Sequence, residues 1–578
     1  HGVLLLSPAL HAFDNNISIL RSRVESYPAV LSYITFSSMI SATRLRHARR
    51  LMAILLPALL LTGCGGGDPL TRARETDPAA VDPAAADVAA AVHAALPPEA
   101  VSPFDPALRP APPAEATQGE ASQHTPHRDA DTPEGSYPSL RFLLLSDIHH
   151  LSPSLWEPGL ALARFLSTND GKVLARSAEL LAAIESTVLA EHSREALDFA
   201  VITGDLTTNG APESHRDVAE LASRLDAAGV PTFVIPGNHD LNNPWARRFP
   251  ASRPEVVAGV TPREFRRIHA AAGYDRAVSQ GPDDLSYRVD IDQGAALFLL
   301  DSAIWRTNQE LGYPQPAGEI GTEQRRWLER ELAAAREAGL APLVFMHHPV
   351  LNHDPALDYG TRQYRIGEAA GFLELMRDFR IPMLFSGHLH VRKTTVAAEN
   401  AGSAGNGAGR WVFDIAAGAV SIYPHEYRIV TIRAPQQELR ITPRRLSGFA
   451  DPDFRRWSLA TYLSDFAGGY VPRLREEAPE EEEQIPADAL GAMAHYLGMW
   501  ELQHRDGIAR TGVLDHIVDA APPLQRGREA WMRFAPARYR DYAAGYGSDP
   551  APPNREIVID LARGGWRPVA RAEPAAQR

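Results

Sequence analysis

Five short polar blocks, set among short apolar runs, constrain the fold of this chain more than any other feature of its sequence. The blocks are Asp147-Ile148-His149, Gly204-Asp205, Gly237-Asn238-His239-Asp240, His347-His348-Pro349 and Gly387-His388-Leu389-His390. Most of them stand just after an apolar run that is typical of a buried strand, and amphipathic stretches typical of helices lie between several of these runs. Alternating strands and helices indicate an α/β domain.

This predicted α/β domain extends from residue 139 to residue 446. The apolar runs that predict its strands are 140–145, 199–203, 232–235, 296–300, 343–346 and 383–385, followed by the closing strands 411–415, 427–432 and 439–442. The stretches that predict its helices are 173–191, 212–228, 322–339 and 368–379.

After residue 446 the pattern becomes helical and aromatic. A chain of 578 residues exceeds one ordinary domain, so we interpret 447–565 as a smaller, mainly helical second domain and 566–578 as a tail. The aromatic residues of this segment are Trp457, Tyr462, Tyr496, Trp500, Trp531 and Phe534. They exceed what so small a bundle buries easily alone, so we expect it to pack on the α/β domain.

The beginning of the chain indicates export. Four arginines between residues 44 and 50 precede an apolar run, 51–61, that ends in Leu61-Thr62-Gly63-Cys64. A basic segment, a short apolar segment and small residues are typical of a secretory signal, and this ending resembles the lipobox of bacterial lipoproteins. We therefore predict a lipoprotein signal peptide at 39–64, with Cys64 lipidated; a secretory signal with an accidental cysteine is the alternative.

The flanking residues refine this prediction. The chain starts with His, and Met39 would begin a signal of ordinary length, so we expect residues 1–38 to be upstream sequence. Gly65 follows the cysteine in place of the Asp that retains lipoproteins in the inner membrane, which favours the periplasmic side of the outer membrane. Residues 65–138, rich in Ala and Pro, are predicted to be a disordered tether, with a short helix considered at 84–96.

Composition limits the chemistry. A formal net charge of −13 argues against a nucleic-acid duplex as partner, because no basic stripe is available for its phosphates. A small phosphorylated substrate stays possible, since bound cations reverse the local field. The chain has 1 Cys, at the predicted lipidation site, which excludes disulfides and thiol catalysis from the mature protein.

The five blocks have the residue types of a metal site. Side chains beyond the carboxyl ends of different strands can converge at one edge of an α/β sheet. Imidazoles and carboxylates bind borderline divalent metals, and one carboxylate can bridge two ions. Each block alone is weak evidence, since a single Gly-Asn-His-Asp is more often a turn than a ligand. All five in this order indicate a common site.

Together these residues resemble the calcineurin-like metallophosphoesterase superfamily, whose pattern is D-x-H, G-D, G-N-H, H and G-H-x-H. The resemblance covers about residues 140–443 and implies a four-layer α/β/β/α sandwich. It is closest to the bacterial cyclic nucleotide phosphodiesterases. Three local features support the resemblance to this branch. They are Ser152-Pro153-Ser154-Leu155, Thr207-Thr208-Asn209-Gly210 with Glu213 and His215, and the helical C-terminal extension.

The resemblance also implies roles for individual residues. One metal ion would be held by Asp147, His149, Asp205 and His390. A second would be held by Asp205, Asn238, His347 and His388, with Asp205 bridging. His239 would stand beside the metals as an acid or transition-state stabiliser. His348 is expected next to a ligand rather than as one, and His150 and His353 are bystanders or substrate contacts. The ligand types suit two divalent or trivalent ions of Mn, Fe, Zn or Co.

The implied function is a phosphodiesterase that acts on cyclic nucleotides or related small phosphodiesters by attack of a metal-bound hydroxide. The alternatives are a phosphomonoesterase on the same centre and a non-catalytic envelope lipoprotein. A metal-dependent hydrolase of the amidohydrolase or β-lactamase fold would need differently spaced His motifs, such as H-x-H-x-D-H, which this chain lacks. Selectivity is expected in the loops 241–285 and 351–366. The second loop carries possible phosphate or base contacts, with a solvated loop equally compatible: Tyr359, Arg362, Tyr364 and Arg365.

Overall fold

Two seven-stranded sheets form the centre of the molecule. The computed structural model describes residues 82–95, 136–167, 170–282, 285–353, 364–398, 411–477, 485–506, 518–519, 521–534, 556–562 and 566–568. The predicted signal peptide, Cys64, residues 1–38, most of the predicted tether and most of the tail lie outside this range.

The strands are numbered in chain order. They are β1 (Leu140–Leu145), β2 (Phe199–Thr203), β3 (Thr232–Ile235), β4 (Arg247–Arg248), β5 (Glu255–Val256), β6 (Ser279–Gln280), β7 (Tyr287–Ile291), β8 (Ala295–Leu300), β9 (Ala341–Met346), β10 (Met383–Ser386), β11 (Lys393–Ala398), β12 (Trp411–Ala416), β13 (Glu426–Arg433), β14 (Glu438–Arg445), β15 (Ile557–Asp560) and β16 (Trp566–Pro568).

The helices are numbered in the same way. They are α1 (Pro83–Ala95), α2 (Leu160–Leu166), α3 (Ser177–Arg194), α4 (Pro212–Ala227), α5 (Pro262–Ile268), α6 (Asn308–Leu311), α7 (Thr322–Glu337), α8 (Ala369–Asp378), α9 (Phe454–Glu477), α10 (Ala487–Asp506) and α11 (Pro522–Phe534).

Sheet I has the strand order β16-β15-β14-β13-β1-β2-β3, and sheet II has the order β11-β12-β10-β9-β8-β7-β6. Strands β1, β2 and β3 are mutually parallel, and so are β8, β9, β10 and β12. Neighbouring parallel strands end at nearly the same level, with Leu145 beside Ile202 and Phe385 beside Phe345. Each sheet therefore has one edge where several carboxyl ends come together.

The two sheets pack face to face through aromatic rings. The ring centroid of Phe142 in sheet I lies 5.8 Å from Phe345 and 5.3 Å from Phe385 of sheet II. All three rings are fully buried. Apolar side chains on these inner faces contribute most to the shared core, since burying one stabilises the fold by about 1.5–3 kcal/mol.

Helices cover the two outer faces. In β8 the side chains alternate, so Leu297 joins the core between the sheets while Phe298 packs with Leu328 of α7 and Leu375 of α8. Helices α3 and α4 bury Ile184 and other apolar residues against sheet I. The layers are therefore helix, sheet, sheet and helix, which confirms the predicted four-layer α/β/β/α sandwich.

Four helices, α1, α9, α10 and α11, form a separate apolar cluster that we call the helical group. Its buried side chains include Val88, Leu463, Met493 and Leu524. It also includes Ile422 from the loop after β12, so the group packs directly on the sandwich as expected. Within the stretch predicted to be a tether, the short helix considered at 84–96 is present as Pro83–Ala95. Its apolar residues Ala85, Val88, Ala89 and Val92 are buried with side chains of α9 and α11.

The chain returns to sheet I after the helical group. Strand β15 pairs with β14 through Ile441 and Ile557, and β16 pairs with β15. Both strands lie where the sequence suggested helix or tail. Strand β15 pairs with the edge strand β14, which is more than 110 residues earlier in the chain. Local periodicity carries no information about so distant a partner. Among the described residues, no helix combines the length and apolar character needed to cross a bilayer.

Candidate metal centre

The five polar blocks follow the carboxyl ends of β1, β2, β3, β9 and β10 and meet at one edge of the sandwich. We call this convergence the strand-end site. It consists of Asp147, His149, Asp205, Asn238, His239, His347, His388 and His390. Every member except His239 and His390 is less than a tenth exposed.

The first group of side chains comprises Asp147, His149, Asp205 and His390, whose ligand atoms all lie within 4.8 Å of one another. Nε2 of His149 is 3.0 Å from Nε2 of His390, and Nε2 of His390 is 3.4 Å from Oδ1 of Asp147. These are the four residues that the resemblance assigns to the first metal ion.

The second group surrounds His347. Its Nε2 lies 3.1 Å from Nδ1 of His388 and 3.2 Å from Oδ1 of Asn238. The other ring nitrogen of His347 donates a hydrogen bond to the carbonyl oxygen of Thr203, at 2.7 Å, which leaves Nε2 unprotonated and facing the site in the neutral ring.

Asp205 joins the two groups. Its Oδ2 is 3.5 Å from Nε2 of His149 and also 3.5 Å from Nε2 of His347. Its Oδ1 accepts a hydrogen bond from the backbone N–H of His239, at 2.9 Å, which orients the carboxylate. One oxygen atom therefore stands midway between an imidazole of each group, which is the position that a bridging ligand requires.

The backbone of the site is strained. Asp147, His149, Asp205, His388 and His390 have φ values of 57°, 47°, 47°, 69° and 54°. Non-glycine residues rarely adopt this left-handed region, and each such residue costs about 1–3 kcal/mol. The surrounding sheets must hold them there, and strain of this kind is concentrated at functional sites.

Two glycines permit the close approach of these loops. A Cβ atom on Gly237 would lie 2.2 Å from Oδ1 of Asp205. A Cβ atom on Gly387 would lie 1.9 Å from Oγ of Ser146, next to Asp147. Any larger residue would push apart the loops that carry the bridging carboxylate and the two histidines after β10.

The geometry fits metal ions. Metal–ligand bonds of about 2.0–2.2 Å place neighbouring donor atoms about 3.0–3.5 Å apart. The inter-ligand distances above fall in this interval, from 3.0 Å to 3.5 Å. Oδ1 of Asp147 is also buried without a hydrogen-bond partner, which a coordinated cation would supply. Imidazole, carboxylate and amide oxygen suit Mn, Fe, Zn or Co, so the residues present can hold two transition-metal ions.

The pKa values of the histidines agree with metal binding. Burial lowers the pKa of His149 and of His388 well below the usual range, so both imidazoles are neutral at pH 7. Burial also opposes protonation of His347, but the Asp205 carboxylate outweighs it and raises its pKa to about 9. A cation at this position would replace that proton, because a ligating imidazole must be unprotonated.

His239 lies beside the ligands rather than among them. Its ring centroid is 5.0 Å from that of His149, and its Nδ1 donates to the carbonyl oxygen of Thr208 at 2.7 Å. Nε2 is therefore the atom available to a substrate. Burial lowers the pKa of His239 below its usual value, which makes its imidazolium form the more ready to give up a proton.

Three other predicted histidines have separate partners. His150 pairs with Oδ2 of Asp217 at 2.8 Å, and His353 lies 3.3 Å from Oδ1 of Asp414. His348 binds the Ser302 hydroxyl through Nδ1 at 2.9 Å, with its ring against His388. A ring nitrogen of His348 nevertheless lies within 4.8 Å of ring nitrogens of His347 and His388. His348 is therefore closer to the site than expected.

The loop predicted to carry substrate contacts is described only in part. The ring of Tyr364 lies 5.6 Å from the ring of His388, which places it at the site. Tyr359 and Arg362 lie outside the described residues.

Sequence reasoning missed the part played by Asp240. Its buried carboxylate accepts hydrogen bonds from the backbone N–H groups of Gly237, Leu206 and Thr207, at 2.8–3.0 Å, and from the Thr207 hydroxyl at 2.9 Å. These bonds tie the loop after β2 to the loop after β3 and so set the distance from Asp205 to Asn238. The available signal was an acidic residue directly after the Gly-Asn-His motif.

The fold and the site together have the strand-end placement and the ligand set of a dimetal centre. Residues 140–392 match the family described as calcineurin-like phosphoesterase.

Several known proteins are similar to this chain. The 3′,5′-cyclic adenosine monophosphate phosphodiesterase CpdA of Escherichia coli (strain K12) is 26% identical over 241 residues, covering 40% of this chain and 71% of that protein. A probable glycerophosphodiester phosphodiesterase GpdQ of Arcobacter nitrofigilis is 27% identical over 203 residues, covering 34% of this chain and 59% of that protein. Among solved structures, a dimetal phosphatase from Danio rerio aligns with a TM-score of 0.36 and 16% identity, covering 54% of this chain and 98% of the other.

Proposed function

We propose that this protein is a phosphodiesterase that hydrolyses cyclic nucleotides or related small phosphodiesters on a centre of two metal ions. The observation that carries the proposal is the position of Oδ2 of Asp205, 3.5 Å from a histidine of each metal-competent group. Two separate cation sites would not share a carboxylate oxygen in this way, whereas a centre that clamps both sides of one phosphoryl group needs such a bridge.

The roles of the residues follow from their positions. Asp147, His149 and His390 would hold one ion, Asn238, His347 and His388 would hold the other, and Asp205 would serve both. When bound, the ions supply Lewis acidity toward phosphoryl oxygens and lower the pKa of a water molecule.

His239 handles the leaving group. Because Nδ1 is engaged by Thr208, the imidazolium form presents an N–H at Nε2 to the departing oxygen. An alkoxide leaving group is a poor one unless it is protonated as the bond breaks, and this is the task of a general acid.

The diester preference is supported by the related proteins. Both curated relatives described above carry the name of a phosphodiesterase, one for a cyclic nucleotide and one for a glycerophosphodiester. The residues that would distinguish a diester from a monoester lie in loops around the site, so this part of the proposal depends on substrate tests.

A substrate panel tests the proposal. The protein is loaded with Mn²⁺, Zn²⁺ or Co²⁺, its metal content is measured, and phosphomonoesters, linear diesters and cyclic nucleotides are compared by kcat/KM. We expect two metal equivalents and the highest kcat/KM for a diester. A preference for monoesters would identify a phosphomonoesterase instead. Two bound metals with no hydrolysis of any ester would indicate a non-catalytic protein.

We further propose that the enzyme works outside the cytoplasm, held to the envelope by a lipid on Cys64. The support is the basic and apolar pattern before Cys64 and its lipobox-like ending. Helix α1 begins only 19 positions after Cys64, so the body could stand no further than about 70 Å from the lipid at full extension. Exogenous nucleotides or phosphodiester headgroups then become the accessible substrates.

Cell fractionation tests this location. The native sequence should be found with the membranes, and Cys64→Ser should release the protein into the periplasm. Recovery of both forms from the cytosol would contradict export and make an intracellular cyclic nucleotide the leading substrate.

A further inference from the structure

A lysine that the catalytic motifs do not include stands beside the strand-end site. Lys172 lies in the loop between α2 and α3, and its side chain is only 10% exposed. Its Nζ is 3.8 Å from Oδ2 of Asp170, which is beyond hydrogen-bond distance. A nearly buried ammonium without a close acceptor is unfavourable unless another negative group completes its surroundings.

Electrostatic effects agree with a position near the strand-end site. Burial is the main cause of the lowered pKa of His149 and of His239, and the positive charge of Lys172 contributes in the same direction for both rings. The place of Lys172 itself follows from its backbone contacts.

Backbone contacts connect Lys172 to the ligands. Lys172 forms a β-bridge with Ile422, and the N–H of Val173 donates to the carbonyl oxygen of Ser421 at 2.9 Å. The hydroxyl of Ser421 donates to the carbonyl oxygen of Asp147 at 2.7 Å. The lysine is thus held in a defined relation to a metal ligand and does not lie on a free surface loop.

The helical group supports this loop from the other side. Gly171 has φ +77°, and a Cβ atom there would lie 2.4 Å from Cδ2 of Tyr462 on α9. The N–H of Gly171 donates to Oδ2 of Asp465, also on α9, at 3.3 Å. The hydroxyl of Tyr462 in turn donates to Glu501 of α10 at 3.0 Å. The turn that carries Lys172 therefore rests against α9.

We propose that the Lys172 ammonium binds a non-bridging phosphate oxygen of the substrate beside the two metal groups, and that helix α9 holds the loop in the position for this contact. The proposal rests on the proposed phosphoesterase function and adds a residue to it. A phosphoryl oxygen can approach Lys172 more closely than the Asp170 carboxylate at 3.8 Å, and the ammonium acts as a point charge on the phosphate. It also gives the helical group a part in substrate binding.

Calorimetric titration with inorganic phosphate tests the contact. The metal-loaded wild type is compared with Lys172→Met, which keeps the length of the side chain and removes its charge, and with Lys172→Arg. We expect phosphate to bind about 10- to 100-fold more weakly to Lys172→Met, as for loss of a charged hydrogen bond. Metal content and thermal stability should be unchanged, and Lys172→Arg should recover part of the affinity. Equal phosphate affinity of wild type and Lys172→Met, with both metals bound, would overturn the proposal.

A pair of glycine variants tests the support by α9. Gly171→Ala would bring its Cβ against Tyr462 and move the loop, so phosphate affinity should fall in the same direction as in Lys172→Met but by less. Gly294→Ala is the matched control, because Gly294 also has positive φ, +89°, but a Cβ atom there would meet nothing within 4 Å. Both variants carry the same backbone penalty. Equal phosphate affinities for the two would contradict a positioning role for α9.

The experiments distinguish a failure of the proposed function from a failure of the proposed Lys172 contact. If the wild type binds phosphate through Lys172 but hydrolyses no ester, the lysine contact stands and the proposed function is wrong. If the wild type hydrolyses diesters and Lys172→Met does so with the same kcat/KM, the function stands and the lysine contact is wrong.

Discussion

The strand-end site and the helical group bury opposite kinds of side chain. At the site, Asp147, His149, Asp205 and His347 are at most 1% exposed, and five residues there have left-handed backbone. In the helical group the buried positions are mostly apolar, as with Leu463, Met493 and Leu524. Buried polar groups are costly, so the sandwich must supply the stability that the site consumes. The polar side chains that can bind metal and the apolar side chains of the helical group are therefore buried in different parts of this chain.

The largest expected effect comes from removing the bridge between the two groups. Asp205→Ala should abolish binding of both metals and nearly all activity, because Asp205 is within reach of both histidine sets. Metal analysis after gel filtration measures this directly. Asp217→Ala, which removes a carboxylate that pairs with His150 outside the two metal groups, serves as control and should keep two metal equivalents. Retention of both metals by Asp205→Ala would refute the bridging assignment.

Removal of α9, α10 and α11 from the helical group should have the next largest effect. A chain ending at Ser447 would lose β15 from the edge of sheet I and expose Ala419 and Ile422. We expect low solubility and a reduced Tm, measured by thermal unfolding. A soluble fragment with the Tm of the full chain would mean that the helical group is an independent domain. The comparison between the helical group and the strand-end site would then not concern parts of one folded unit.

Loss of His239 should leave the metals in place. His239→Ala is expected to lower kcat by roughly 10²–10⁴, the usual cost of a missing general acid. The loss should be smaller for esters with a nitrophenolate leaving group, which departs without protonation. Equal losses for nitrophenyl and alkyl esters would argue that His239 stabilises the phosphoryl group instead.

The smallest expected effect is a change in the free energy of unfolding with no change in metal content. Leu463 is fully buried in the helical group, so Leu463→Ala should lower the free energy of unfolding by about 2–5 kcal/mol. Leu311→Ala, at a position 44% exposed, should change it by less than about 0.5 kcal/mol. Denaturant unfolding of the metal-loaded proteins measures both. Metal content should be the same in the two variants, and loss of metal in Leu463→Ala would show that the two regions are more tightly coupled than we infer.

The order of strands and helices in the sandwich could be predicted from the sequence because its signals are local. Strand β1 is an apolar run interrupted by Arg141, and α7 shows the spacing of a helix with one buried face. The candidate ligands could be recognised for a related reason, since each polar block stands within a few residues of a strand end. Local patterns of this kind need no knowledge of the partner elements.

Contacts between distant segments were decided only by the tertiary structure. The pairing of β15 with β14, the packing of α1 on α9 and the contact of Gly171 with Tyr462 each join residues separated by more than a hundred positions. Asp240 shows the same dependence over a shorter range, because its motif is local but its hydrogen bonds tie it to Leu206 and Thr207, 34 and 33 positions earlier. The sequence by itself determined which residues are chemically able to bind metal, because side-chain chemistry is a property of each residue. Their distances, and the place of Lys172 beside them, depend on how the packed layers bring remote backbone together.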